Sequence, residues 1–397
     1  PPMDFCPRLA YLHAMPLVTT TKDLARLARR WADAPYITVD TEFVRTSTFF
    51  SRLCLVQVAD ADGAVAVDAL AKDIELKPLI EVLQAPGVAK VFHAARQDIE
   101  IFWQMAGVIP SPIFDTQVAA MVCGYGESVG YDTLVKSLAG GHIDKSHRFT
   151  DWARRPLSEA QVKYALDDVI HLRPVYEKLS LRLKKSGRKE WLEEEMKILT
   201  SPETYVTDPK QAWRRMRIRS GSPRFLGRVQ ALAEWREVEA VKRNVPRNRV
   251  ISDKDILALA SLNPQTPEDV KHANNISNAL KEARLPSRLA ALLGEAARRP
   301  ENELPDPAKR VDNARVPAGL TELLKVLLKQ RCQEAGVAPK LVATAEEIES
   351  FAAGNGADAS FLKGWRYHLY GKDARALLEG KLALSAGPKG LKVFPTP

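Results

Sequence analysis

Strand-forming patterns are confined to the N-terminal part of this 397-residue chain, and that confinement limits the fold more than any other feature. Residues 36–44, 53–59 and 64–68 are β-rich runs joined by tight connections, which predicts an antiparallel meander. Two further strands, 89–92 and 112–114, alternate with helical patterns at 76–84, 96–106 and 117–123. A long helix over residues 158–185 follows, opened by Ser158 as its cap and containing Pro174. Past residue 201 the periodicity is helical. The expected fold class is an α/β N-terminal domain with a mixed five-stranded sheet, followed by two all-α helical-bundle domains.

Proline-bearing stretches at 201–209 and 300–317 read as linkers. They divide the chain into an extension (1–15), an α/β domain (16–200), a first helical domain (209–299) and a second (318–390). The helical domains look like diverged copies, since residues 244–256 resemble 336–348 at a constant offset of 92. Each opens a helix with a capping-box pattern, Ser252 with Asp255 and Thr344 with Glu347.

A composition of 45% hydrophobic and 27% charged residues excludes a disordered or collagen-like chain. The longest stretch without Asp, Glu, Lys or Arg, residues 101–114, is shorter than the roughly 20 apolar residues of a bilayer span. Residues 1–15 lack the layout of a secretory leader. Cys6, Cys54, Cys123 and Cys332 lie far apart, so neither a disulfide framework nor a thiolate zinc site is expected. A cytoplasmic protein without membrane attachment or an obligate protein partner fits these features. Charge is unevenly placed: residues 1–200 carry a net −1 and residues 201–397 a net +10. Residues 209–250 alone carry +9, including Arg214, Arg215, Arg217 and Arg219, which points to a polyanion such as nucleic acid. A solvated surface, or pairing of those arginines with Glu193, Glu194 and Glu195, is the plainer alternative.

Asp40 and Glu42 sit two apart on a strand whose period of two sends both to one face, between the core-like Val39 and Phe43. Buried carboxylates are costly unless paired or bound to metal. Asp98 falls in the first turn of the next helix after 89–92, where a helix start favours an acid. Tyr164 and Asp168 are one helical turn apart and share a face, whereas Asp167 points about 100° away. Each has an ordinary reading as strand end, cap or surface. In this order they make the oxygen-donor set that two hard divalent cations need.

These residues resemble the three exonuclease motifs of the DEDD superfamily, in the subgroup whose third motif bears tyrosine. Residues 114–120, 124–126 and 144–158 resemble the ribonuclease D family, densely over 18–185. The helical remainder is similar to the helicase and ribonuclease D C-terminal domain at Trp235, Arg236 and 244–247, and its second copy departs from that pattern, with Ala338 in place of the proline. The resemblance implies a ribonuclease H-like exonuclease fold and 3′-to-5′ RNA hydrolysis with two divalent ions, Mg²⁺ or Mn²⁺. It implies nucleoside 5′-monophosphate products, with tRNA precursors and other structured stable RNAs as substrates. Asp40, Glu42 and Asp168 would hold the ion that binds the attacking water, Asp40 would bridge to a second supported by Asp98, and Tyr164 would orient the nucleophile. Candidate RNA contacts are Phe43 and Arg45 with Phe49 and Phe50, the loop bearing Lys145, His147, Arg148, Arg154 and Arg155, and the four arginines at 214–219. His93 is expected to be structural. A DNA exonuclease and a non-catalytic RNA-binding adaptor are the competing readings.

Overall fold

Ile37, Thr38 and Val39 are wholly enclosed in strand β2 (Tyr36–Val44), from which the sheet extends to both sides. In the computed structural model, which describes residues 17–144, 146–218, 221–305, 318–388 and 390–396, six strands form one sheet in the order β1-β4-β3-β2-β5-β6. β1 is Leu17–Val18, β3 Arg52–Asp60, β4 Gly63–Asp68, β5 Ala89–Phe92 and β6 Ile113–Asp115. β3 and β4 pair antiparallel, while β1–β4, β2–β5 and β5–β6 pair parallel, so the sheet is mixed.

Five strands were expected, and the sixth is β1. A two-residue strand is too short to show a period of two, and its place is set by the partners Ala66 and Val67.

Helices cover the sheet because their apolar stripes match it. α1 (Thr21–Ala32) starts at Thr20, whose hydroxyl accepts the Asp23 N–H at 3.2 Å, and buries Leu24, Leu27, Ala28 and Trp31. α1 packs on α2 (Lys77–Gln84). α3 (Arg96–Ala106) follows β5 and stops at Gly107, which takes φ 66. α4 (Thr116–Val122) follows β6 directly, then come α5 (Tyr131–Ala139), α6 (Glu159–Ser186) and α7 (Lys189–Leu199). α6 begins in a capping box between Ser158 and Gln161, runs through Pro174, and packs on α4, α5, β4 and β5.

The described chain separates into two compact units. One comprises residues 17–43, 53–201 and 318–396. Its last segment holds α13 (Ala318–Ala335), α14 (Pro339–Val342), α15 (Ala345–Ala352), the short α16 (Gly364–Arg366) and α17 (Lys372–Leu378). A hairpin of β7 (Leu382–Gly387) and β8 (Gly390–Pro395) closes the chain, where an all-helical domain was expected. The alternating Leu391 and Val393 after Gly387 and Pro388 are the signal for it, masked by the helical text before them.

That segment is docked within its unit by specific contacts. Trp191 and Trp365 stack with centroids 4.2 Å apart, and Arg366 pairs with Glu195 and, at 3.7 Å, with Glu194. Arg188 donates to the carbonyls of Val122 at 3.0 Å, Gly336 at 3.1 Å and Ala335. Ala338 N–H donates to Met121 O at 3.0 Å. Glu194 and Glu195 are thus engaged by Arg366.

The second unit comprises residues 44–52 and 202–305, built on α8 (Pro223–Arg243), α9 (Arg247–Val250), α10 (Asp253–Leu262), α11 (Pro267–His272) and α12 (Leu285–Arg298) around Leu232, Ala233, Ile256, Leu259 and Leu289. Asn244, left-handed at the end of α8, accepts the N–H groups of Phe49 and Phe50 at 3.1 Å each, and Arg247 lies 4.5 Å from the Phe49 ring centroid. Among the described residues no helix is long and apolar enough to cross a membrane.

Gly124 takes φ +80, and a Cβ there would lie 2.5 Å from the Gly336 carbonyl oxygen. Left-handed backbone alone costs an alanine roughly 1–2 kcal/mol, and about 2–4 °C of melting temperature accompanies each kcal/mol in a domain of this size. Gly124→Ala is expected to lower the melting midpoint by several degrees and open the 318–396 segment to protease. Gly319→Ala, in open space, is the control. An unchanged midpoint for Gly124→Ala would contradict the docked arrangement.

Candidate active site

The site begins where β2 stops being apolar. Asp40 and Glu42 are both half-buried, with the buried Thr41 between them. Thr41 N–H donates to Asp40 Oδ1 at 3.0 Å, and the Thr41 hydroxyl donates to Asp98 Oδ1. Asp98, 6% exposed, occupies the first turn of α3. Asp168, 8% exposed, lies on α6 and takes a hydrogen bond from Tyr164 one turn earlier. Thr38 donates to Val169 O at 2.8 Å and ties this turn of α6 to β2, and Tyr131 OH donates to Asp168 O.

Burial raises all four carboxyls, and repulsion from Asp40 adds to it at Glu42, Asp98 and Asp168. Asp40 is pushed up to about 6 by burial, with the Thr41 N–H opposing. Glu42 is pushed up to about 9 by burial, then by Asp40, Asp168 and Asp98. Asp98 is raised well above the usual carboxylate range by burial and then Asp40, while the Thr41 hydroxyl opposes. Asp168 rises to about 8 through burial, then Asp40 and Asp167, against the Tyr164 hydrogen bond and Arg148. Burial, then Asp168 and Glu42, also raise the Tyr164 phenol.

A set of oxygen donors that resist ionisation together is what a hard divalent cation relieves, so the residues present fit such an ion by charge and donor chemistry. Among the described residues no three His, Cys, Asp or Glu side chains close on one metal-sized point, so the fit is chemical and not that of a finished cage.

The loop before α6 adds the positive charge. Arg148 is exposed, lies 5.3 Å from the Phe149 ring centroid, and lowers the pKa of Glu42, Asp168 and Tyr164. Phe149, absent from the expected contacts, is 90% exposed. His147 and Trp152 lie 6.4 and 6.0 Å from the Tyr164 ring. Arg155, expected to face a phosphate, instead grips Asp68 at 2.8 and 2.7 Å and the Cys54 carbonyl at 2.8 Å. Asp167 pairs with Lys163 at 2.5 Å, four residues away on α6. His93 Nδ1 lies 3.0 Å from Thr116 Oγ1, and burial lowers its pKa.

Phe43 is half-buried near the end of β2. In the second unit Arg45 donates to Phe49 O at 3.1 Å. Arg214 is exposed, 5.5 Å from the Trp213 ring centroid, and Arg217 is exposed, with Met216 and Ile218 buried between the arginines. Arg215 lies 3.7 Å from Glu237, itself 2% exposed. Lys145 and Arg219 lie outside the described residues. Thr41, which donates to Asp98, and Tyr131, which donates to the Asp168 carbonyl, were not singled out in the sequence.

Carboxyls raised in the fold keep protons that the unfolded chain releases from about pH 4 upward, so the folded state binds more protons and stability falls as pH rises. In EDTA the melting midpoint is expected to fall between pH 5 and 9, less steeply for Asp168→Asn, with Mg²⁺ restoring more at pH 8 than at pH 5. Equal slopes for parent and variant would contradict the electrostatic account.

A family model described as a 3′-5′ exonuclease matches residues 15–184, and an HRDC domain model matches 225–292. The chain is 47% identical over 381 residues to ribonuclease D of Granulibacter bethesdensis, covering 96% of each. It is 47% identical to ribonuclease D of Acidiphilium cryptum over 96% of this chain and 97% of that protein. The crystal structure of Escherichia coli RNase D, described as an exoribonuclease involved in structured RNA processing, matches with a TM-score of 0.81 at 28% identity, over 92% of this chain and 98% of that one. Exonucleases of this family depend on a divalent metal. With relatives this similar along nearly the whole chain, the protein belongs to the ribonuclease D family and is a 3′-to-5′ exoribonuclease.

Proposed function

We propose that Asp40, Glu42, Asp98, Asp168 and Tyr164 form a single hydrolytic centre for two divalent ions, Mg²⁺ or Mn²⁺. In this reading the centre trims the 3′ ends of tRNA precursors and other structured stable RNAs in the cytoplasm. The observation that carries it is the elevation of four neighbouring carboxyls by burial, with Asp40 repelling the other three, a cost that bound cations remove. The structured-RNA processing named for the Escherichia coli relative supports the substrate class.

Asp40, Glu42 and Asp168 would hold one ion, and Asp40 with Asp98 would hold the other. When bound, the ions supply Lewis acidity toward a water and offset charge on the scissile phosphate, which releases a nucleoside 5′-monophosphate. The chain's own residues do the rest. Tyr164 keeps its proton because burial and then Asp168, Glu42 and Asp40 raise its phenol, so it orients the nucleophile and does not act as the base. Arg148 faces the phosphate, and the exposed Phe149 ring beside it offers a base a stacking surface. Phe43 and Arg45 are further contacts to the 3′ end. Lys145 and the basic run with Arg214, Arg215, Arg217 and Arg219 belong to RNA capture, Arg215 less freely because Glu237 engages it. No protein partner is required.

Asp40→Asn, Glu42→Gln, Asp98→Asn and Asp168→Asn are each expected to lower turnover on 3′-labelled RNA far more than tenfold, with RNA affinity kept. Activity within tenfold of the parent, a loss of only about 1.4 kcal/mol in transition-state stabilisation, would remove that residue from the ligand set. Asp167→Asn should be mild. Tyr164→Phe should reduce single-turnover rates by about 10²- to 10⁴-fold, and an unchanged rate would make Tyr164 a packing residue. Matched RNA and DNA strands measure the preference for ribose.

The charge on the second unit leads to a separate expectation. Each phosphate contact contributes about −0.7 to the slope of log affinity against log salt for a single strand. The variant Arg214→Ala with Arg217→Ala should flatten that slope by about 0.7 per lost contact, leaving turnover on short strands unchanged. A slope equal to the parent's would place those arginines outside the RNA path.

A further inference from the structure

Asp115 caps α4, but its carboxylate reaches beyond its own helix. Oδ1 accepts the N–H groups of Gln117 at 2.8 Å, Val118 at 3.4 Å and Ala94 at 3.0 Å, and Oδ2 accepts the Ala95 N–H at 2.9 Å. Ala94 and Ala95 lead into α3, and Ala95, at its N-cap, has no side chain able to cap it. A single carboxylate, 3% exposed, therefore closes the starts of two helices.

Ala94 stands at φ 60, a left-handed conformation that costs a residue with a Cβ roughly 1–2 kcal/mol. The bonds to Asp115 hold this turn and the residue after it. Asp98 follows three residues after Ala95, so the place of its carboxyl depends on how α3 leaves the turn. Thr41 fixes that carboxyl from β2, and the pairing of Phe92 with Asp115 fixes the clamp relative to β5.

We infer that Asp115 is a positioning residue for RNA hydrolysis: through the Ala94–Ala95 turn it places Asp98 and so sets the affinity of the centre for a divalent cation. This rests on the metal-centre reading proposed above. Partners behind metal ligands commonly change metal affinity or activity by about 10–100-fold, although they touch neither ion nor substrate.

The test is Asp115→Asn in the full-length protein. Asparagine caps a helix about as well as aspartate, so α4 keeps its start. One oxygen becomes an NH₂, and one of the N–H groups of the α3 turn loses its acceptor. Calorimetric affinity for Mn²⁺ should fall by about 10–100-fold. kcat should fall with it at fixed Mg²⁺ and recover as Mg²⁺ is raised, while KM for RNA stays at the parent value. A purely structural role would lower the melting midpoint without moving Mn²⁺ affinity measured well below it, and parent-like affinity and kcat would overturn the inference. If the variant folds poorly, it is made together with Ala94→Gly, since glycine takes the left-handed turn without penalty. In that background loss of Mn²⁺ affinity supports the inference and parent-like affinity overturns it. Asp98→Asn is measured alongside. If it binds Mn²⁺ like the parent, the metal-centre reading fails; if it loses Mn²⁺ while Asp115→Asn keeps it, only the role of Asp115 fails.

Discussion

The structure is organised around a repulsion. Four carboxyl groups are gathered where burial disfavours the charge of each and Asp40 adds to the cost for the other three. A chain that only had to fold would pair each with an arginine, as this one does for Asp68 with Arg155 and Asp60 with Arg30. At Asp40, Glu42, Asp98 and Asp168 the opposing groups are weaker: a backbone N–H, a threonine hydroxyl, a phenol and one exposed arginine. In the proposed reading a cation and a phosphate offset that charge.

Rigid elements hold these groups against that repulsion. β2 supplies two of them just beyond the wholly enclosed Ile37, Thr38 and Val39, and Thr38 binds β2 to the turn of α6 that carries Asp168. α6 is long, boxed at its start and packed against α4 and α5, so Tyr164 and Asp168 keep one register. The segment 318–396 belongs to the same compact unit through Arg188, Arg366 and the stacked tryptophans. Cutting the chain after α7 would leave the half-buried Glu195 without Arg366 and expose Trp191, so the exonuclease fold is not isolated by stopping where its family motifs end.

The parts of this arrangement legible in the sequence are those with local signals. β2 and β5 are short β-rich runs, α3 follows its strand at once, and α6 announces itself by Ser158 and a sustained helical period, so Asp40, Glu42, Asp98, Tyr164 and Asp168 could be placed on their elements beforehand. β1 was missed because two residues have no period. The C-terminal hairpin was missed because a helical context outweighed a short alternation. The sequence shows Thr41 only as the residue between two acids, Arg155 as part of a candidate RNA-contacting loop, and Glu195 as a possible partner for the basic run. Each of those depends on a contact 57 to 171 positions away in the chain, which no local pattern encodes.

The central claim is that the raised carboxyls and the cation site are one cluster. Titrating Mn²⁺ into the metal-free protein at pH 7, in buffers of different ionisation enthalpy, measures binding and proton release together. The account predicts saturable binding that expels protons from the site, with fewer released as pH approaches 9 and less release in Asp168→Asn. Binding with no proton release, or release identical in parent and variant, would contradict it.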